Sequence, residues 1–212
     1  MNEQLINAMA DLEEETLLRL VHEGLDNGED PQGILAACRE GIMLVGQRFE
    51  SGEYYISELV MAGEMFKEVM KLLPLETGVG LGSSRGQVVF GTVKGDIHNI
   101  GKDLVVGMLR ATGYEVTDLG IDVPVAKFVE AVQQTGAMIV GLSGLLTTAF
   151  DSMKATIAAL EEAGLRPGVK VMIGGGSISE AVMKYTGADA FGTNAQDAVN
   201  YANQWAGVQG IV

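Results

Sequence analysis

Apolar residues in the first 75 positions recur at three- and four-residue spacings, which place them on one face of a helix. Such stripes cover residues 5–21, 34–49 and 56–73, with acidic residues between the apolar ones. Asp30-Pro31 precedes the second stripe, as is typical of an N-cap followed by proline at the first helical position. Short connections between the stripes favour antiparallel neighbours. We therefore predict a small helical bundle.

From residue 87 onward, short apolar runs alternate with helical patterns. The runs, which we predict to be strands, cover residues 88–93, 114–119, 138–142, 169–173 and 188–191. The helical patterns follow them near residues 102–112, 125–134, 150–163, 179–185 and 195–205. Strands that alternate with helices form βαβ units and a parallel sheet. Five units predict an α/β, flavodoxin-like doubly wound (Rossmann-like) fold with strand order 2-1-3-4-5.

The stretch between these two patterns contains Gly-Val-Gly-Leu-Gly-Ser-Ser-Arg-Gly, ending at residue 86. Segments of this composition behave as flexible linkers. We therefore predict three parts, namely a helical domain over residues 1–75, a glycine-rich linker over 76–86 and a flavodoxin-like domain over 87–212.

Charge and cysteine content exclude several classes of function. The formal net charge is -14, so most of the surface should repel phosphate backbones, and we expect no nucleic-acid partner. No apolar run is long enough to span a bilayer, and the chain start lacks the basic and apolar regions of a secretory signal. A single cysteine, Cys38, fits a reducing compartment. We expect a cytoplasmic protein without a membrane partner.

The strand order predicts where a ligand binds. In such sheets the site lies beyond the carboxyl ends of the strands, where the order reverses between strands 1 and 3. The loops at 94–101, 143–148 and 174–177 should therefore converge at one edge of the sheet.

Common motifs do not account for these loops. The spacing from Gly95 to Gly101 is one residue too long for a P-loop, and the dinucleotide fingerprint is absent. No zinc spacing occurs. Ser143, His98 and Asp96 could form a hydrolase triad, but an aspartate two residues from a histidine is better suited to orienting a metal-ligating imidazole. One histidine is enough for a metal that a macrocycle already holds, so His98 fits a prosthetic group better than a bare ion.

Three short motifs lie in order in the three loops. They are Asp96-x-His98-x-x-Gly101, Ser143-x-Leu145 and Gly174-Gly175. Together they resemble the cobalamin-binding signature D-x-H-x-x-G, S-x-L and G-G. Proteins with this signature include cobalamin-dependent methionine synthase, the corrinoid proteins of methanol, methylamine and betaine methyltransferase systems, and B12-dependent mutases.

The resemblance implies a cobalamin cofactor and a role for each matching residue. His98 would displace the dimethylbenzimidazole of the cofactor and bind cobalt as the lower axial ligand, and Asp96 would tune its basicity. Gly101 would let the backbone pass under the corrin. The slot for the displaced nucleotide tail would be lined by Ser143, Leu145, Thr147, Gly174 and Gly175, with Phe191, Gly192 and Thr193 at its end.

One position departs from the methionine synthase pattern. There, a hydroxyl six residues after the serine completes a Ser-Asp-His relay, whereas the matching residue here is Ala149. Thr147 or Thr148 is the candidate to replace that hydroxyl.

The helical domain distinguishes between the kinds of cobalamin-binding protein named above. Gly46-x-x-Phe49-x-x-Gly52-x-x-x-Ile56-x-x-Leu59 resembles the helical cap of methionine synthase and of the methyltransferase corrinoid proteins. This implies that Phe49, Ile56 and Leu59 cover the methyl face of the corrin.

The resemblance of the chain to a helical cap followed by a cobalamin-binding domain implies a methyl carrier that has no turnover of its own. It would take a methyl group from a substrate:corrinoid methyltransferase and pass it to a corrinoid:acceptor methyltransferase that loads tetrahydrofolate or a thiol. A reductive activator would be a third partner.

Three alternatives stay open at this point. The first is the cobalamin subunit of an adenosylcobalamin-dependent mutase, although the resemblance to a helical cap argues against it. The second is a cobalamin-based sensor, although no DNA-binding or signalling module is recognisable. The third is a flavin-binding flavodoxin-like protein with a helical appendage.

Overall fold

The computed structural model describes residues 2–74 and 84–207. They divide into a helical unit, which runs up to Ser84 and includes Ala111–Gly113, and an α/β unit, which includes Arg85–Arg110 and continues from Tyr114. Most of the predicted linker, residues 75–83, lies outside the described residues. The domain boundaries proposed from the sequence therefore stay predictions.

The helical unit contains four helices in the described residues. They are α1 (Asn2–Ala10), α2 (Glu14–Asp26), α3 (Pro31–Glu50) and α4 (Ile56–Leu72). Asp30 is the N-cap of α3, and its carboxylate accepts the Gln32 N–H at 3.2 Å. Helices α1 and α3 pack closely at Gly41, where an added Cβ would lie 2.6 Å from the Met9 Cβ. The core of this unit is apolar, because the buried face of every helix carries aliphatic residues.

Cys38 lies in this core and is fully buried. Burial in apolar surroundings penalises the thiolate, so the pKa of Cys38 rises to about 12.

The α/β unit alternates strands and helices as predicted. Its strands are β1 (Gln87–Thr92), β2 (Glu115–Asp118), β3 (Ile139–Ser143), β4 (Lys170–Gly174) and β5 (Ala190–Gly192). Its helices are α5 (Ile100–Ala111), α6 (Val125–Thr135), α7 (Ala149–Glu162), α8 (Glu180–Thr186) and α9 (Ala195–Trp205). All strand pairs are parallel, and the order β2-β1-β3-β4-β5 confirms the predicted doubly wound sheet.

The register aligns the carboxyl ends of four strands. Thr92 pairs with Ser143, Ser143 with Gly174, and Gly174 with Gly192. The loops after β1, β3, β4 and β5 therefore leave the sheet at the same level. Across residues 2–74 and 84–207, no helix has the length and apolarity needed to cross a membrane.

Candidate functional site

Asp96 joins the loops that follow β1 and β3. Its side chain is fully buried. Oδ1 accepts the His98 backbone N–H at 2.9 Å and lies 2.7 Å from Nδ1 of the same residue. Oδ2 accepts the backbone N–H groups of Leu145 at 2.7 Å and Leu146 at 3.0 Å. The structure thus brings Asp96, His98 and Leu145 together, as the predicted sheet edge requires.

These hydrogen bonds keep the buried carboxyl ionised. Burial by itself would raise the pKa of Asp96, because it penalises the charged form. The N–H groups of Leu146, His98 and Leu145 and the His98 imidazole outweigh burial and lower this pKa to about 2. A carboxylate is therefore present at neutral pH to hold a proton on Nδ1.

The low pKa of Asp96 makes the stability of the apoprotein depend on pH. The folded-state pKa, about 2, lies below the ordinary value of 3.8, so the unfolded chain binds the proton more readily between these values. The stabilisation by Asp96 is therefore fully present above pH 3.8, and it is lost as the pH falls through about 2. We expect Asp96→Asn to lower the free energy of unfolding at neutral pH by on the order of 2 kcal/mol.

Urea unfolding of the apoprotein over a range of pH checks this expectation. The difference between wild type and Asp96→Asn should shrink as the pH falls below 3.8, the ordinary pKa. Glu130→Gln is the matched control, because Glu130 forms an exposed ion pair with Lys127 on α6. A difference that is constant across the acid range would contradict the assignment.

The geometry of His98 suits a ligand for one metal ion. Its side chain is half exposed, with Nδ1 held by Asp96. The Thr92 hydroxyl, itself buried, donates to the His98 carbonyl at 2.9 Å and fixes the backbone. Among the hydrogen bonds of the described residues none involves Nε2, so its lone pair is available when the proton is on Nδ1. No group of three or more potential ligands for a bare metal ion occurs within the described part of the chain.

Sequence reasoning missed a set of exposed aliphatic residues around His98. Ile97 is 68% exposed and Ile100 is 82% exposed, both beside the histidine. Ile121, Leu145 and Leu146, on the loops after β2 and β3, are also exposed. Exposed aliphatics concentrated on neighbouring loops are typical of a ligand-binding surface. Of these five residues, only Leu145 was predicted from the sequence to belong to the site. The others could have been identified as large aliphatic residues that flank a polar motif.

The candidate glycines fall into two groups. Outside its chain neighbours and the backbone of its own helix, a Cβ added to Gly101 would meet no described atom within 4 Å; one added to Gly174 would meet, beyond its chain neighbours, only the Gly192 carbonyl at 3.9 Å. These two positions leave room for a ligand. At Gly175, φ is +140° and a Cβ would lie 2.0 Å from the Gly144 carbonyl oxygen, so the protein itself requires glycine there.

The described hydrogen bonds to Asp96 include no side-chain hydroxyl. Ala149, at the relay position, is buried, and Thr147 and Thr148 are exposed. The N–H groups of Leu145 and Leu146 occupy the Oδ2 side of the carboxylate instead.

The other candidates for the tail slot lie at the ends of β3 and β5. Ser143 is half-buried at the last position of β3. Phe191 and Gly192 end β5, and Asp197 then accepts both the backbone N–H and the hydroxyl of Thr193, at 2.7 and 2.9 Å. The roles of these residues toward a nucleotide tail stay predictions.

The three candidate cap residues belong to the helical unit. Phe49 is half-buried near the end of α3, Ile56 is 57% exposed at the start of α4, and Leu59 is only 3% exposed. Their contact with a corrin stays a prediction.

Comparisons with known proteins find matches over both units of the chain. Family models described as B12 binding domains match residues 86–200 and 1–73. The chain is 36% identical over 203 residues to the dimethylamine corrinoid protein of Methanosarcina barkeri, covering 95% of each chain.

Two solved structures are similar along nearly the whole chain. A cobalamin-binding protein from Desulfitobacterium hafniense is 41% identical, with a TM-score of 0.82 and coverage of 97% of this chain and 98% of that one. A chain of the methanol:cobalamin methyltransferase complex MtaBC from Methanosarcina barkeri is 26% identical, with a TM-score of 0.84 and coverage of 97% and 79%.

Proposed function

Because the chain belongs to the B12-binding corrinoid proteins, we propose that it carries a methyl group on the cobalt of a bound cobalamin, with His98 as the axial ligand. Cobalamin, when bound, supplies a cobalt that takes up and releases the methyl group. The protein supplies the axial nitrogen, the binding surface and the exclusion of water.

The observation that carries this proposal is the Asp96–His98 pair. Asp96 Oδ1 lies 2.7 Å from Nδ1, and because the ionised carboxylate can only accept a hydrogen bond, it favours the tautomer with the proton on Nδ1 and a free lone pair on Nε2. The same carboxylate holds the loop at Leu145 and Leu146. His98 is thus oriented by a group that also fixes the loop proposed to contact the nucleotide tail.

The residues around the pair fit a corrin. The open space at Gly101 and the exposed Ile97 and Ile100 suit a flat, largely apolar ring next to the histidine. The space at Gly174 suits the tail. Phe49, Ile56 and Leu59, in the helical unit, are the residues that we propose to cap the methyl face of the corrin.

A methyltransferase is the partner that delivers the methyl group. The similar chain in the methanol:cobalamin methyltransferase complex supports such a partner, and the relative from Methanosarcina barkeri is named for dimethylamine. We propose that the partner, rather than this chain, selects the donor. We also propose an acceptor methyltransferase that loads tetrahydrofolate or a thiol, a reductive activator, and a cytoplasmic location. The comparisons give the mutase alternative no support.

Methyl uptake with and without a partner tests the proposal. Protein loaded with cobalamin and reduced to cobalt(I) should stay unmethylated when given methylamines, methanol or betaines alone. Adding the cognate methyltransferase should give about one methyl group per chain, because one axial histidine defines one cobalt site. The visible spectrum and methyl release on photolysis measure this ratio. Free cobalamin under the same conditions gives the background, and repeated turnover by the chain alone would contradict the carrier function.

A further inference from the structure

The segment that follows β2, residues 119–124, runs beside the loop that carries His98. Its Gly120 carbonyl accepts the Thr92 N–H at 2.9 Å, and its Val123 N–H donates to the Thr92 carbonyl at 3.0 Å. The Asp122 N–H donates to the Asp96 carbonyl at 2.9 Å. The segment therefore extends the β1–β2 pairing beyond the sheet, up to the residue that orients the histidine.

The side chain of Asp122 holds the two residues before Asp96. Its Oδ1 accepts the Gly95 N–H at 2.8 Å, and its Oδ2 lies 3.0 Å from the Lys94 ammonium. Through its own N–H and its carboxylate, Asp122 thus contacts three consecutive residues of the loop. The bond from Gly95, followed by that from Lys94, lowers the pKa of Asp122, so the carboxylate is charged at neutral pH.

The backbone of Asp122 is in the left-handed region, with φ of 51°. Aspartate, asparagine and glycine tolerate this region better than other residues. The turn therefore restricts which side chains can occupy the position, and of those that fit without strain, aspartate and asparagine offer an acceptor to Gly95.

A second contact from β2 holds the other flank of the loop. Lys102, in the first turn of α5, is only 3% exposed and pairs with Asp118 at 2.6 Å. Asp103 also contacts this ammonium. The residues on both sides of His98 are thus tied to the end of β2, at Asp118, or to the segment that follows it, at Asp122.

We propose that Asp122 is a positioning residue for the axial ligand. It sets the backbone at Lys94, Gly95 and Asp96, and the Asp96 carboxylate in turn sets the imidazole of His98. A metal-ligating side chain must be held within a fraction of an ångström, which demands such support. This inference rests on the proposed ligation of cobalt by His98.

The two bonds of the Asp122 carboxylate should contribute unequally. The pair with Lys94 is exposed, and such ion pairs are screened by water. The bond from Gly95 N–H fixes backbone directly. The acceptor at Oδ1 should therefore matter for ligation, and the charge of Lys94 should matter little.

Four variants separate these contributions. Asp122→Gly keeps the left-handed backbone and the N–H but removes both side-chain bonds. Asp122→Asn keeps an oxygen for Gly95, and Lys94→Met removes only the ion pair. Glu130→Gln, on α6, is the control for loss of an exposed carboxylate–lysine pair elsewhere in the unit.

Electron paramagnetic resonance of the cobalt(II) form measures the fraction with histidine-nitrogen coupling. In Asp122→Gly we expect this fraction to fall and the cobalamin dissociation constant to rise by roughly 10-fold, the lower end of the effect of removing a partner of a ligating histidine. Asp122→Asn, Lys94→Met and Glu130→Gln should resemble wild type. In the apoprotein of Asp122→Gly, the Gly95 amide should exchange with solvent faster than in wild type.

The outcomes distinguish this inference from the proposed function. Wild type without histidine coupling would overturn ligation by His98 itself. Wild-type coupling that persists unchanged in Asp122→Gly would overturn the positioning role alone. So would a coupling loss of equal size in Glu130→Gln, because it would show a general effect of surface charge.

Discussion

His98→Ala should abolish histidine-nitrogen coupling in the cobalt(II) spectrum and leave cobalamin bound weakly, without an axial ligand from the protein. Removing a group that orients a ligating histidine costs roughly 10- to 100-fold in affinity, and removing the ligand itself should cost at least as much. Titration of the apoprotein with cobalamin, followed by its visible spectrum, measures the loss.

His22→Ala is the matched control, since the chain has only two histidines and His22 is exposed on α2. It should bind cobalamin as wild type does. Coupling that survives in His98→Ala, or an equal loss of affinity in both variants, would show that cobalt is ligated elsewhere.

Gly175→Ala should destabilise the α/β unit whether or not cobalamin is present. The new Cβ would lie 2.0 Å from the oxygen and 2.8 Å from the carbon of the Gly144 carbonyl. Gly144 cannot retreat freely, because its N–H donates to the Gly174 carbonyl at 3.0 Å. Left-handed strain adds to the overlap, and we expect a loss of about 3 kcal/mol or more. Thermal unfolding of the apoprotein should shift downward by roughly 10 °C.

Gly174→Ala separates packing within the protein from contact with a ligand. Its Cβ would come no closer than 3.9 Å to any described atom outside its chain neighbours, so the apoprotein should unfold near the wild-type temperature. If the nucleotide tail passes this position, cobalamin binding should nevertheless weaken. An equal loss of stability in the two variants would rule out the Gly144 contact as the cause.

The sequence was sufficient to predict the sheet because its central strands are buried on both faces. Residues 88–93 form an apolar, β-branched run, and β1 is buried at all but its first residue. The strand order then followed from the general topology of doubly wound sheets. The edge strand β5 is shorter than predicted, with three residues, since an edge strand pairs on one side only.

The candidate site was predictable only where side-chain chemistry identifies it. Asp96 and His98 are recognisable because their spacing is characteristic of an oriented ligand. The partners of Asp96, which lie on the loop after β3, could not be recognised in this way, because every non-proline residue carries the same backbone N–H. The requirement for glycine at Gly175 likewise arises from the Gly144 carbonyl, 31 positions earlier, which only the folded chain brings near.

The buried thiol of Cys38 has a chemical consequence for a protein that handles an electrophilic methyl group. With a pKa of about 12, the sulfur is protonated at neutral pH, and it is enclosed by the helical core. Thiolates are the reactive form of cysteine, so this chain has no competing thiolate. Its cysteine should therefore resist alkylation by the methyl group. A cysteine introduced on its surface would be the single reactive one, which suits the chain to site-specific spin labels or fluorophores.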